Sequence, residues 1–308
     1  AEKLNIETEN VLVASTGVIG VEMPLERVKD GIEAAVKEIL APDSADGREE
    51  SAHRAALAIM TTDTLVKEFA AELPCAGGVI RIGGIAKGSG MIHPNMGTML
   101  GFITTDAAVS AAELQPLLKD VVEDSFNMVT VDGDTSTNDM VLVLANGASG
   151  VKPTGQEWAD FAQMFRSLCI QLAKEIVRDG EGASKFIEVQ VQGAKTREDA
   201  RKIAKSVCGS SLVKTAFFGE DANWGRILCA AGYAGAEFDP DKTDIFLGPV
   251  QVAGGGKGLP FSEAEAKKVL AHKEIKVWLK LQDGQEEATA WGCDLTHEYI
   301  TINGSYRT

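Results

Sequence analysis

The sequence predicts a soluble α/β protein, and three observations lead there. Helix-spaced apolar residues follow capping signals, as at Ser110-Ala111-Ala112-Glu113 and Thr154-Gly155-Gln156-Glu157, where a hydroxyl residue stands three places before Glu. Short apolar runs such as Met140–Ala145 alternate with these helices and read as buried strands. No apolar run reaches the roughly 20 residues of a membrane span. Of the 308 residues, 44% are hydrophobic and 24% charged, enough to bury a sizeable core. That length suggests two or three domains. The expected division is 1–150, 151–235 and 236–308, with Gly147, Gly150 and Pro153 marking the first linker.

Taken in order, residues 1–8 read as the tail of a helix, Val11–Ala14 as a short strand and Ser15–Gly20 as a turn. Pro24 suits a first helical turn, and Val28, Ile32, Ala35, Val36 and Ile39 recur at helical spacing behind it. After a polar loop, Ser51–Ile59 is an Ala-rich helix that ends in the hydroxyl cluster Met60-Thr61-Thr62-Asp63-Thr64. Ala76–Ile85 is a Gly-rich strand with close backbone approach. A helix from Ser110 to about Asp124 and the polar loop Asp132–Asp139 precede the strand at Met140. Beyond the linker come a helix from Thr154 to near Gly180, a strand at Lys185–Val191, a helix from Thr196 to Val207 and a strand at Leu212–Phe218. Ile227–Ala231 is a short helix, and Ser262 with Glu265 caps another. The remaining strands are Ile245–Leu247, Ile275–Leu281, Ala288–Trp291 and Tyr299–Ile302.

Charge and motif content exclude several functions. Thirty basic residues against 45 acidic ones give a net charge of −15, the opposite of a nucleic-acid footprint or an anionic-membrane binder. Cys75, Cys169, Cys208, Cys229 and Cys293 form no C-x-x-C pair, which fits reduced, buried thiols. His53, His93, His272 and His297 lack metal spacing, and no basic n-region precedes an apolar stretch at Ala1, so neither a metal nor a signal peptide is expected. The run Ala253–Gly258 fails the P-loop pattern, Gly83–Gly88 misses the dinucleotide register, and Asp132, Asp134 and Asp139 depart from calcium-loop spacing.

Lys87–Leu100 stands apart. It is Gly-rich, carries one Lys, and delivers Gly97-Thr98 to the mouth of an apolar strand. A Thr hydroxyl becomes a useful nucleophile only beside a base. Cutting the chain before Thr98 would free its own α-amine, whose ordinary pKa of about 7.7–8.0 suits a base at neutral pH. From these residues alone, a structural Thr opening a strand and a nucleophile both remain open, the structural role being the commoner.

Family resemblance shifts that balance. Ser15–Gly20, Met60–Thr64, Ala86–Ile92, Pro94–Leu100, Ser125–Asn127 and Thr130–Asp139 match motifs of the ornithine acetyltransferase family, also called glutamate N-acetyltransferase. So do Lys214–Ala216, Gly219–Arg226, Ala288–Thr296 and Ile302–Thr308. These blocks lie in family order along nearly the whole chain. Gly97 stands where members typically have Ala, and members usually carry further N-terminal residues, so the chain resembles one that starts inside a family helix.

The resemblance implies a layered α/β/β/α sandwich of the self-cleaving, N-terminal-nucleophile-like type (DmpA and ornithine acetyltransferase), with additional small α/β domains. It implies cleavage at Gly97–Thr98 into α and β chains that stay together as a homo-oligomer of αβ units. Thr98 then carries the acetyl group from N-acetylornithine to glutamate in a ping-pong reaction of arginine biosynthesis, without a cofactor and in the cytoplasm. Some members also take acetyl from acetyl-CoA. By the same carry-over Thr16 and Gly17 form the oxyanion hole, and Thr61, Lys87, Thr98, Glu220, Asn303 and Thr308 bind substrate. Two other classes stay open: a self-cleaving amidase or aminopeptidase that uses water as acceptor, and an inactive fragment.

Overall fold

The computed structural model of the chain describes residues 1–41, 45–93 and 99–305, the side chains at 45, 46, 48 and 49 excepted. Gly97, Thr98 and Thr308 therefore lie outside the described residues. The first half contains helices α1 (Leu25–Ile39) and α2 (Ala45–Ala58), strands β1 (Lys67–Cys75), β2 (Gly78–Lys87) and β3 (Leu100–Thr105), helix α3 (Ala111–Glu123), and strands β4 (Val129–Thr130) and β5 (Met140–Ala145). Next come α4 (Gln156–Arg178), β6 (Phe186–Ala194), α5 (Arg197–Gly209), α6 (Ser211–Phe218) and α7 (Trp224–Gly232). The chain closes with β7 (Asp244–Leu247), β8 (Val250–Gly254), β9 (Lys257–Gly258), α8 (Glu263–Leu270), β10 (Glu274–Lys280), β11 (Glu286–Cys293) and α9 (His297–Ser305).

Two sheets organise these elements into the mixed α/β class the sequence predicts. The first runs β1-β2-β3-β5 and the second β4-β11-β6-β10-β7-β8-β9. Helix α4 packs between them, touching β1 and β2 of one sheet and β4 and β11 of the other. Its buried stripe of Phe161, Phe165, Leu168, Leu172 and Ile176 has the three- and four-residue spacing of a core-facing helix. Strand alternation selects Ile80, Ile82 and Gly84 of β2 for the face toward α4. Gly84 is required there: a Cβ would lie 2.9 Å from Leu172 Cδ1 and 3.0 Å from Leu168 Cδ2. The opposite face lies under α2 and carries an open cavity of about 770 Å³, lined by Glu68, Ala70, Gly83, Ile85, Phe102 and Thr104.

In the second sheet β6 sits centrally, antiparallel to β11 and parallel to β10. Its Ile187, Val189 and Val191 are fully buried on the face that α5 covers. On the other face Glu188 accepts from Trp291 Nε1 at 2.9 Å and pairs with Lys174 of α4 at 3.0 Å.

Several sequence expectations need correction. Residues 1–8 hold short 3-10 turns at Glu2–Leu4 and from Thr8, with Asn5 left-handed between them, and Met140–Ala145 is a half-buried edge strand, not a buried one. Val11–Ala14 forms no strand; it finds no ladder partner, and Val11, Leu12 and Val13 stay exposed. Leu212–Phe218 is helix α6, because Ser210 caps it and Val213, Ala216 and Phe217 bury one helical face; a short apolar run does not by itself separate strand from helix. Tyr299–Ile302 belongs to α9, where Thr296 Oγ1 accepts the Glu298 N–H at 3.2 Å and turns the chain. Thr154 caps nothing: Gly155 takes the N-cap position at φ 54°, and the Glu157 carboxylate reaches across to the Ala76 N–H at 2.7 Å. Strand β1 was not anticipated; its alternation of half-buried and exposed residues pairs in full register with β2. The box at Ser110–Glu113 closes in both directions, as its spacing requires.

Candidate active site

The site is built around the end of β2. Lys87, the last residue of that strand, is almost fully buried, and its Nζ donates to Thr61 Oγ1 at 3.0 Å. Burial pulls the Lys87 pKa down, while the nearby Asp63 carboxylate pulls it up and the Lys67 charge lowers it further. A buried ammonium whose hydrogen-bond partner among the described residues is a hydroxyl is suited to an anionic ligand, because ionic hydrogen bonds are shorter and stronger than neutral ones.

A second lysine holds this arrangement together. Lys67 is fully buried and donates to Asp63 Oδ1 at 2.7 Å and to Asp179 Oδ2 at 2.6 Å. Asp63 also accepts the N–H of Gly88 at 2.6 Å and of Thr61 at 3.1 Å, so one carboxylate fixes both Thr61 and the end of β2 beside Lys87. Burial raises the Asp63 pKa, but the Lys67 charge and these N–H groups outweigh it and hold the carboxyl below its ordinary value. Asp179, at the C-terminus of α4, accepts from Thr64 N at 2.9 Å, Leu65 N at 3.2 Å and the Thr64 hydroxyl. The cluster at Met60–Thr64 is thereby sewn between β2 and α4. Thr62 Oγ1 adds a 2.7 Å hydrogen bond to Ser89 Oγ.

Past Asp179 the chain turns back on the Gly-rich stretch. The Glu181 N–H donates to Ser89 O at 2.8 Å, and the buried Glu181 carboxylate sits against Gly90, where a Cβ would lie 2.4 Å away. Asn303 of α9 donates from Nδ2 to Glu181 Oε2 at 2.8 Å and to Tyr299 O at 3.1 Å. Both amide hydrogens are thus engaged, which leaves Asn303 presenting its carbonyl oxygen, an acceptor. These contacts set out an ammonium at Lys87 and a carboxylate with an amide oxygen at Glu181 and Asn303.

The polar loop at 130–139 frames the rest. Asp132 accepts Met91 N at 2.6 Å, Ile92 N at 3.0 Å and the Tyr299 hydroxyl at 3.2 Å. Asp139 Oδ1 accepts Met99 N at 2.6 Å.

Of the residues the sequence singled out, Thr61 and Lys87 are in direct contact, and Asn303 joins them through Glu181 and the Ser89–Gly90 backbone. Thr16 is half-buried and Gly17 exposed, with nothing within 4 Å of a Cβ built on Gly17. Among the described residues no hydrogen bond joins either of them to Thr61, Lys87 or Asn303. Glu220 sits at φ 56° after α6 and pairs with Lys185 at 3.6 Å; among the described residues no hydrogen bond joins it to Thr61, Lys87 or Asn303. Sequence reasoning missed Asp63, Lys67, Asp179 and Glu181. The first two carried a signal, an acid and a Lys four residues apart beside a hydroxyl cluster; nothing in sequence ties Glu181 to Asn303.

Comparison with known proteins gives one answer. The ArgJ family model matches residues 1–308. The arginine biosynthesis bifunctional protein ArgJ of Symbiobacterium thermophilum is 56% identical over 311 residues, covering all of this chain and 75% of its own length. That of Thermotoga neapolitana is 53% identical over 315 residues, covering all of this chain and 77% of its own. The crystal structure of the Bacillus halodurans protein of the same name superposes with a TM-score of 0.65 at 45% identity, covering 67% of this chain and 98% of that one. Matched from end to end by the family's model and about half identical to its members, the chain belongs to the ArgJ family.

Proposed function

We propose that the chain is an acetyltransferase of arginine biosynthesis, moving the acetyl group of N-acetylornithine to glutamate through an acetyl-enzyme on Thr98. The observation that carries this reading is the buried Lys87, held on Thr61 and placed eleven residues before Thr98 at the start of the stretch that leads to it. It offers the α-carboxylate of an acetylated amino acid a cation inside a protein of net charge −15. Asn303 and Glu181 suit the donor groups of the same molecule: an amide N–H or an ammonium.

The chemistry begins with cleavage. Thr98 Oγ adds to the Gly97 carbonyl carbon, the C–N bond breaks, and the hydroxyl proton ends on the Thr98 nitrogen. Water then hydrolyses the ester and leaves a free α-amine. In transfer, that amine takes the Oγ proton as the hydroxyl attacks the acetyl carbonyl and returns it to the departing ornithine nitrogen. The glutamate amine reverses these steps and leaves with the acetyl group. Thr16 and Gly17 are assigned to the oxyanion on family motif alone, and Thr308 to substrate binding likewise. Acetyl-CoA as a second donor fits the word bifunctional in the relatives' names.

Intact-mass spectrometry with a transfer assay tests this. Two fragments split at Gly97–Thr98 are expected, with acetylglutamate formed from N-acetylornithine and glutamate without net hydrolysis. Thr98→Ala is expected to remain one chain and transfer nothing. Uncut wild-type chain with no transfer, or donor hydrolysis that ignores glutamate, would sink the reading.

A further inference from the structure

The loop from Asp132 to Asp139 holds both flanks of the segment that contains Thr98. At one end Asp132 takes the N–H groups of Met91 and Ile92; at the other Asp139 takes that of Met99, the residue directly after Thr98. The register explains the second contact. Strands β3 and β5 run parallel with Leu100 opposite Met140, so Asp139 and Met99 stand side by side where the two strands begin.

Asp139 differs from Asp132 in one respect. Its Oδ2 is shut away from solvent and has no hydrogen-bond partner, the one such side-chain atom among the described residues. A buried carboxyl oxygen without a donor is unfavourable, and native proteins rarely keep one unless a ligand or a reacting group supplies the missing hydrogen bond. Burial pushes this carboxyl up to about 7; the Met99 N–H just before β3, Lys87 at the end of β2 and Lys205 on α5 each act in the opposite direction. The group therefore changes charge near neutral pH.

We propose that Asp139 is a positioning residue for Thr98, fixing the start of β3 through the Met99 N–H with one oxygen and reserving the other for a hydroxyl or ammonium of the reacting centre. This rests on the reading of Thr98 above. It predicts two separable functions for one side chain. Asp139→Asn keeps the acceptor for Met99 but loses the second, ionisable oxygen. Asp139→Leu loses both.

The test compares Asp139→Asn and Asp139→Leu in the full chain by three readouts: hydrogen exchange at the Met99 amide, the fraction cut at Gly97–Thr98, and the pH profile of acetyl-transfer kcat/KM. The Asn variant is expected to keep Met99 protection and cleave within about threefold of wild type. Its kcat falls about 10- to 100-fold, and the pH limb near 7 shifts or disappears. The Leu variant is expected to lose Met99 protection and at least about 100-fold in cleavage rate. Wild-type protection in the Leu variant, or wild-type kcat and pH profile in the Asn variant, overturns the proposal. Should Asp139→Leu prevent folding, the pH profile of the Asn variant decides. A wild-type chain that neither cleaves nor transfers counts against Thr98 as nucleophile, and Met99 exchange then still decides for or against Asp139.

Discussion

Replacing Lys67 by Met is the most direct probe of how the site is held. Lys67 is fully buried, between Asp63 at 2.7 Å and Asp179 at 2.6 Å, and also donates to Leu65 O at 3.2 Å. Met has a similar volume, so packing is nearly preserved while the only cation bonded to both carboxylates among the described residues is lost. Removing one partner of a buried ion pair costs about 3–5 kcal/mol, because the remaining charge stays desolvated. The backbone N–H groups that each carboxylate keeps place this case toward the lower end. Against a total stability of about 5–15 kcal/mol this is a large loss. At about 2–4 °C per kcal/mol, the melting temperature falls by roughly 10 °C at pH 7.

The pH dependence gives the argument its sign. In the wild type the Asp63 pKa is lowered below 3.8, so its contribution is present above that value and is lost as pH falls through the folded value. Without Lys67 the burial penalty dominates and raises Asp63, so the folded variant takes up a proton before the unfolded chain does. Its deficit is full at high pH and shrinks as pH falls toward 5. Differential scanning calorimetry of both proteins from pH 5 to pH 8 checks this. A melting difference under about 2 °C at pH 7, or one that stays constant across the range, would refute the reasoning.

Two further outcomes are expected. Lys87→Met removes the cation proposed to hold the substrate carboxylate; a hydrogen bond to a charged group is worth about 1.5–3 kcal/mol, so KM for N-acetylornithine rises roughly 10- to 150-fold. Initial rates at saturating glutamate measure it, and an unchanged KM removes Lys87 from the site. In Gly90→Ala the new methyl meets the Glu181 carboxylate at 2.4 Å, so Glu181 and the Asn303 amide bonded to it must shift. The same assay is expected to show KM raised about tenfold or more, since small misplacements of positioning groups are costly; a wild-type KM would show that Glu181 does not need its present place.

Local signals reported local structure faithfully. The Ser110–Glu113 capping box, the Ser262 cap and the Thr196 cap each sit at a helix start, because a hydroxyl three residues before a backbone N–H needs nothing distant to form its bond. The Met140–Ala145 run was equally legible as a strand, though it lies half-buried at the edge of its sheet and not buried as expected. Errors fell where a distant partner decides. Glu157 left its expected cap for the Ala76 N–H, and Leu212–Phe218 became a helix because its neighbours bury one helical stripe. Strand β1 is defined by its register with β2 more than by its own composition.

The sequence by itself determined the α/β class and the family to which the motif blocks belong, and it pointed to Thr61 and Lys87 as members of the proposed site. Those rest on chain-local pattern: periodicity, capping spacing and ordered motifs. Only the tertiary structure decided how that site is held. Asp179 lies 112 residues from Lys67, Asn303 lies 122 from Glu181, and Asp139 lies 40 from Met99. The structure also pairs Glu220 with Lys185 and brings Glu181 to Asn303. The physical reason is common to all four pairs. A polar group taken wholly or partly out of water must find its partner through space, and the partner's place along the chain leaves no trace in local composition.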